Sequence, residues 1–157
     1  MSLPIVLPKL DPLAKLLSSL IGRKVQVAKA AKPFVWKGPV LVATFIDDED
    51  KLCALAVGDV PFGAHSGAAL SMVPPGVATE SVRKNVLPPD LLDNAREVLN
   101  VATSLFNTPG ARHLRLQEVK VELQPQKEIV GSPQRLDVSV DITGYGQGQL
   151  TFAPKAA

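Results

Sequence analysis

Apolar residues fall at three- and four-residue steps in some stretches of the chain and at every second residue in others. From Asp11 to Ile21 the apolar set is Leu13, Leu16, Leu17, Leu20 and Ile21, which predicts a short amphipathic helix. Asp11 is placed to cap it, Pro12 suits its first turn and Gly22 stops it. Period-two alternation follows from Arg23 to Ala30, and two Val-, Ile- and Leu-rich runs span Val40 to Ile46 and Leu52 to Val57. The charged link Asp47-Asp48-Glu49-Asp50-Lys51 joins those runs, so they are expected to form a β-hairpin with an acidic, solvated turn. Asp59 to Pro89 is punctuated by Gly and Pro and predicts little regular structure beyond a small-residue helix from about Phe62 to Met72.

The longest helical pattern runs from Pro88 to Asn107, opened by Pro89 and Asp90 and ended by Thr108-Pro109-Gly110. At about 100° per residue, Leu91, Leu92, Ala95, Val98, Leu99, Ala102, Leu105 and Phe106 gather on one arc that must face a core. Asp93, Arg96, Glu97, Asn100, Ser104 and Asn107 fall on the opposite face. His113 to Leu123 and Leu136 to Ile142 alternate with period two, and Gln149 to Phe152 can add a short strand after a Gly144–Gly148 turn. These make a second, antiparallel group of strands.

Composition narrows the chemistry. A chain of 157 residues with 46% hydrophobic and 20% charged residues is expected to form one domain with one main core. Net charge is only +2, the Lys and Arg are scattered, and aromatic residues are 4% of the chain, so neither a nucleic-acid groove nor a base-stacking platform is expected. Cys53 is the sole cysteine, which excludes an intrachain disulfide and a Cys-based zinc site. Set among Leu52, Ala54 and Leu55, it reads as a small core residue in a reducing compartment. MSLPIVLPKLDPL lacks the pattern of a signal peptide and no run approaches a membrane span, so a cytoplasmic protein with no membrane partner is expected. The acidic link lacks the spacing and glycine of a calcium loop, and His65 has no carboxylate or second histidine spaced near it; no metal site is expected. No Gly-x-Ser-x-Gly elbow or phosphate-binding glycine loop occurs.

Glu97 and Asn100 stand one helical turn apart on the outward face, where both side chains can meet the same partner. Glu-x-x-Asn alone arises by chance in roughly a third of chains this long, so its weight comes from its single occurrence in the middle of the best helix. Asp93-x-x-x-Glu97-x-x-Asn100 resembles the signature of the CheC, CheX and FliY phosphatases of chemotaxis, in which an Asp or Ser precedes the Glu and Asn at this spacing. A proline follows in that family; Pro125, with 24 residues between it and Asn100, is its counterpart here. The glycine that the family often carries a turn after the Asn is missing from Val101-Ala102-Thr103-Ser104. The order of elements is also similar to CheX: a leading helix, three strands, a small helix, the signature helix, then antiparallel strands.

The resemblance implies an α+β fold, with an antiparallel or mixed sheet packed against a long signature helix, in one domain over residues 1–157 whose ends, about 1–9 and 154–157, are loosely ordered. It implies a phosphatase for a phosphorylated CheY-like receiver domain, with Asn100 orienting the attacking water and Glu97 pairing with a receiver lysine. Asp93 and Arg96 would border the docking surface and Ser104 would add a contact. No cofactor of its own is expected, since Mg²⁺ would belong to the receiver. A homodimer through sheet extension, for example at residues 113–123, is also implied, and a non-catalytic receiver-binding or oligomerising module of the same fold is the alternative.

Overall fold

The computed structural model describes residues 3–123, 132 and 134–155. Pro125 lies outside the described residues. Helix α1 (Leu10–Ile21) is followed by strands β1 (Val25–Lys29), β2 (Val40–Ile46) and β3 (Leu52–Asp59), then by helices α2 (Val60–Leu70), α3 (Pro75–Lys84) and α4 (Pro89–Ala102). A 3₁₀ turn (Thr103–Phe106) leads to strands β4 (Arg115–Glu122), β5 (Leu136–Ile142) and β6 (Gly146–Pro154). All six strands form one antiparallel sheet in the order β1-β5-β6-β3-β2-β4. The fold class is therefore α+β as expected, but the late strands are no separate group: β5 and β6 insert between β1 and β3, and β4 forms the far edge.

The middle of the sheet is covered on both sides, which is why β2 and β3 read as continuous apolar runs and not as alternating ones. On the helical side Leu13 and Leu17 of α1, Ala95, Val98 and Leu99 of α4, and Phe106 pack on Leu41, Phe45, Ala56, Val138, Val140, Leu150 and Phe152. Phe106 is fully buried between Phe45 and Phe152, with ring centroids at 4.8 Å and 5.8 Å. On the other side Phe34 and Trp36, whose rings meet edge to face at 5.7 Å, cover Val40, Val42, Leu55, Val57 and Ala153. Ile5 and Leu7 also pack against the main core.

Several local expectations are corrected. Asp11 does not cap α1: Lys9 occupies the N-cap, and Asp11 lies in the first turn, where it pairs with Lys15 at 3.3 Å. Gly22 ends the helix in the left-handed region as expected. The stretch read as irregular holds α3, whose apolar contacts come from a few small residues and so leave a weak periodic trace; buried Ser81 donates to Val86 O to close its end. The long helix stops at Ala102, and Asn107 is not on its outward face. The Gly-rich segment is a turn only at its start, because Gly146 and Gly148 belong to β6, where a Cβ on Gly148 would come within 2.3 Å of Phe62 Cα. The acidic link is only partly solvated. Asp47 is buried, and its Oδ1 accepts from Glu49 N and Lys51 N at 2.9 Å and 3.0 Å.

The small-residue character of α2 decides where α4 can lie. A Cβ added to Gly67 would sit 2.4 Å from Leu91 O, so the two backbones touch there. Asn94 Nδ2 fixes the same junction by donating to Gly67 O at 2.9 Å and Ser71 Oγ at 2.8 Å. Gly67→Ala is expected to push α2 and α4 apart at a cost of about 1–3 kcal/mol, read as a lower urea midpoint with an unchanged slope.

His65 sits on α2 under β6, buried, with Nδ1 lacking a partner among the described residues and the ring against Gly146. Burial holds its pKa below the ordinary imidazole value of 6.5, with Asp141 opposing weakly. The unfolded chain therefore takes up a proton at this residue first, so stability present above about pH 6.5 is lost as pH falls. Urea midpoints measured from pH 8 to 5 should decline, and His65→Leu should flatten that decline.

Candidate functional site

Helix α4 is held by its buried stripe of Leu91, Ala95, Val98, Leu99 and Ala102, which leaves Asp93, Arg96, Glu97 and Asn100 exposed. The next step is made by a residue whose role the sequence did not disclose. Asn107 Nδ2 donates to Leu114 O at 2.9 Å and its Oδ1 accepts from Leu114 N at 2.8 Å. This paired clamp reverses the chain after α4 and returns it as β4 on the sheet edge beside the helix. A bulge in β4 then adjusts the register: Thr44 pairs with Glu118 but Phe45 with Leu116, leaving Gln117 as the extra residue. Gln117 is held on the sheet by a 3.1 Å hydrogen bond from Thr44 Oγ1 to its Oε1.

The outcome is an open depression of about 440 Å³ between α4 and β4, lined by Asp93, Arg96, Glu97, Asn100 and Leu116. Four of the five residues singled out from the sequence thus line one hollow. Ser104 does not: it is exposed, but its Oγ donates to Val101 O at 3.0 Å, in the turn beyond the hollow. Leu116 was visible in the sequence only as one apolar position of an alternating strand, since no local signal says which helix that strand will lie beside. Among the described residues, neither Glu97 nor Asn100 has a side-chain hydrogen bond or ion pair, so both are available to a partner. Arg112, a conceivable local partner for Glu97, is instead turned to Asp47 at 3.9 Å and Cys53 Sγ at 3.6 Å.

A second hollow, of about 590 Å³, lies at the β2–β3 turn and holds Asp47, Asp48, Glu49, Lys51, Arg112 and His113. Its charges are matched internally: Asp48 meets His113 at 3.0 Å, Glu49 meets Lys51 at 3.1 Å, and nearby Asp50 meets Arg115. The Lys51 and Glu49 amides and the Cys53 and Arg112 side chains hold the Asp47 carboxyl below its ordinary range. Among the described residues no group of three or more His, Cys, Asp or Glu is arranged to hold a metal ion, and no helix is long and apolar enough to cross a membrane. Cys53 is buried, as its apolar setting requires.

An α+β domain whose single six-stranded antiparallel sheet carries an acid-and-amide helix face at its edge is thus the class that fold and site define. No protein-family model and no curated protein matches the sequence. Solved structures do. The chain is similar to the FliM middle domain of Vibrio alginolyticus, with a TM-score of 0.58 at 10% identity, over 92% of this chain and 89% of that one. It is similar to the FliM middle domain of H. pylori, with a TM-score of 0.57 at 10% identity, over 93% and 84%. It also matches a chain of the CheX–CheY–BeF3–Mg²⁺ complex of Borrelia burgdorferi, with a TM-score of 0.55 at 12% identity, over 94% and 95%. The chain has the fold of CheX and of the FliM middle domains.

Proposed function

We infer that the chain is a phosphatase for a phosphorylated CheY-like receiver domain. What supports this most is the coming together of Glu97 and Asn100, exposed and without side-chain partners among the described residues, in one hollow on a CheX-like fold. In the Borrelia structure CheX stands in a complex with CheY, BeF3 and Mg²⁺; the same class of partner is proposed here.

The chemistry asks little of the phosphatase. Water attacks the phosphorus of the receiver's acyl phosphate, a P–O bond to water forms and the bond to the aspartyl oxygen breaks. The products are the free aspartate carboxylate and dihydrogen phosphate, which carries both of the water's protons into solution. Charge compensation by Mg²⁺ and a lysine belongs to the receiver, so the added element is a water held in line. A carboxamide can accept from that water and donate to a phosphoryl oxygen without titrating, and Asn100 takes this role. The carboxylate of Glu97, one turn earlier, pairs with the receiver lysine and aligns the two proteins. Asp93 borders the contact, and Leu116 closes the hollow on its apolar side.

The second reading is a receiver-binding or oligomerising module without catalysis, favoured by the likeness to two FliM middle domains. In that reading β4, which among the described strands pairs with β2 and ends the sheet order, offers its outer side to a second copy. Phosphate release from an acetyl-phosphate-treated CheY-like receiver, with and without the domain, separates the two. Acceleration supports the phosphatase, and binding without acceleration supports the module.

A further inference from the structure

All six arginines of the sequence lie among the described residues. Five are engaged. Arg23 lies over the Tyr145 ring at 5.1 Å, Arg83 pairs with Glu80, Arg112 with Asp47, Arg115 with Asp50, and Arg135 with Asp137 at 2.7 Å. Arg96 alone has no hydrogen bond, ion pair or ring contact among the described residues. Opportunity is not what it lacks: Asp93 stands three residues before it, the same order and spacing at which Glu80 and Arg83 pair on α3. Among the described residues Arg96 is also the one basic residue lining the hollow, beside the carboxylates of Asp93 and Glu97 and, one turn on, the carboxamide of Asn100.

We propose that Arg96 is the phosphoryl-contacting residue of this site, its guanidinium donating to the non-bridging oxygens of the receiver's acyl phosphate while Asn100 holds the water. The inference rests on the receiver-phosphatase reading. Among the described residues two carboxylates and one guanidinium line the hollow, a net negative charge, and a phosphoryl group brings about two more negative charges. The receiver's Mg²⁺ and lysine compensate part of that charge, and a cation on this side, turned toward the phosphoryl oxygens, offsets what the two carboxylates of the hollow add. Arg96 and Asn100, four residues apart on the helix, project from one stripe and can address the same group. A planar guanidinium presents paired donors that fit two phosphoryl oxygens, and in the transition state negative charge rests on those oxygens. Arg96 therefore serves discrimination of the phosphorylated receiver as well as rate.

The experiment titrates a CheY-like receiver carrying Mg²⁺ alone, or Mg²⁺ with BeF3⁻ as the phosphoryl stand-in, into wild type, Arg96→Lys and Arg96→Ala by calorimetry. Wild type is expected to prefer the BeF3⁻ form. Arg96→Ala should lose that preference by roughly tenfold or more while still binding the Mg²⁺ form, as the loss of charge-assisted hydrogen bonds requires. Arg96→Lys, with the charge but not the fork, should keep part of it. The turnover number for phosphate release should fall with Arg96→Ala by about ten- to a hundredfold. An unchanged preference in Arg96→Ala, or an equal weakening of both forms, overturns the phosphoryl contact and leaves the phosphatase reading standing. A wild type that binds neither form overturns that reading, and this inference with it.

Discussion

Asn100→Ala is expected to lower the domain's acceleration of receiver dephosphorylation by about a hundredfold or more, the loss typical of removing one preorganised donor at a phosphoryl or oxyanion site. The fall should appear in the turnover number and leave receiver affinity nearly unchanged, because the carboxamide acts on the water and not on the docking surface. Glu97→Gln should show the opposite split. It removes the charge that pairs with a receiver lysine, so the Michaelis constant rises more than the turnover number falls. Neither change should disturb folding, since both side chains are exposed and make no hydrogen bond or ion pair among the described residues. Single-turnover decay of a radiolabelled phosphoreceiver checks the first variant, and a concentration series checks the second. A wild-type rate in Asn100→Ala would remove Asn100 from the chemistry; no acceleration by wild type would leave only the binding module.

The largest loss of stability is expected at Phe106. Its ring is wholly buried and touches Phe45 on β2 and Phe152 on β6, so it ties the 3₁₀ turn after α4 to strands on either side of β3. Phe106→Ala removes that bridge and leaves a cavity whose walls belong to strands that cannot collapse inward. The cost should be about 3–5 kcal/mol in urea unfolding, and a drop in Tm of roughly 10 °C follows for a domain of this size. Phe106→Leu should recover much of it. The site should suffer too: the 3₁₀ turn leads to the Asn107–Leu114 clamp, and that clamp brings β4 alongside α4.

The elements themselves were largely legible because they obey local rules. Three- and four-residue periodicity located α1 and α4, and period-two or continuous apolar runs located the six strands, since burying one stripe or face needs no knowledge of what covers it. α3 escaped for the same reason in reverse: only Ala78 and Ser81 of its residues are buried, so it writes little pattern. Asp11 was misread because a side-chain cap is fixed by one residue of register, which Leu10 and Lys9 decided.

The outward face of α4 followed from the sequence alone: the spacing of Asp93, Arg96, Glu97 and Asn100 against a core stripe dictates that they emerge together. That the face borders a hollow with Leu116 for a wall did not follow. It depends on Gly67 letting α4 touch α2, on Asn107 clamping Leu114, and on a one-residue bulge at Gln117. Strand order and backbone approach are set by contacts between residues far apart in the chain, and such contacts leave no periodic mark on either partner.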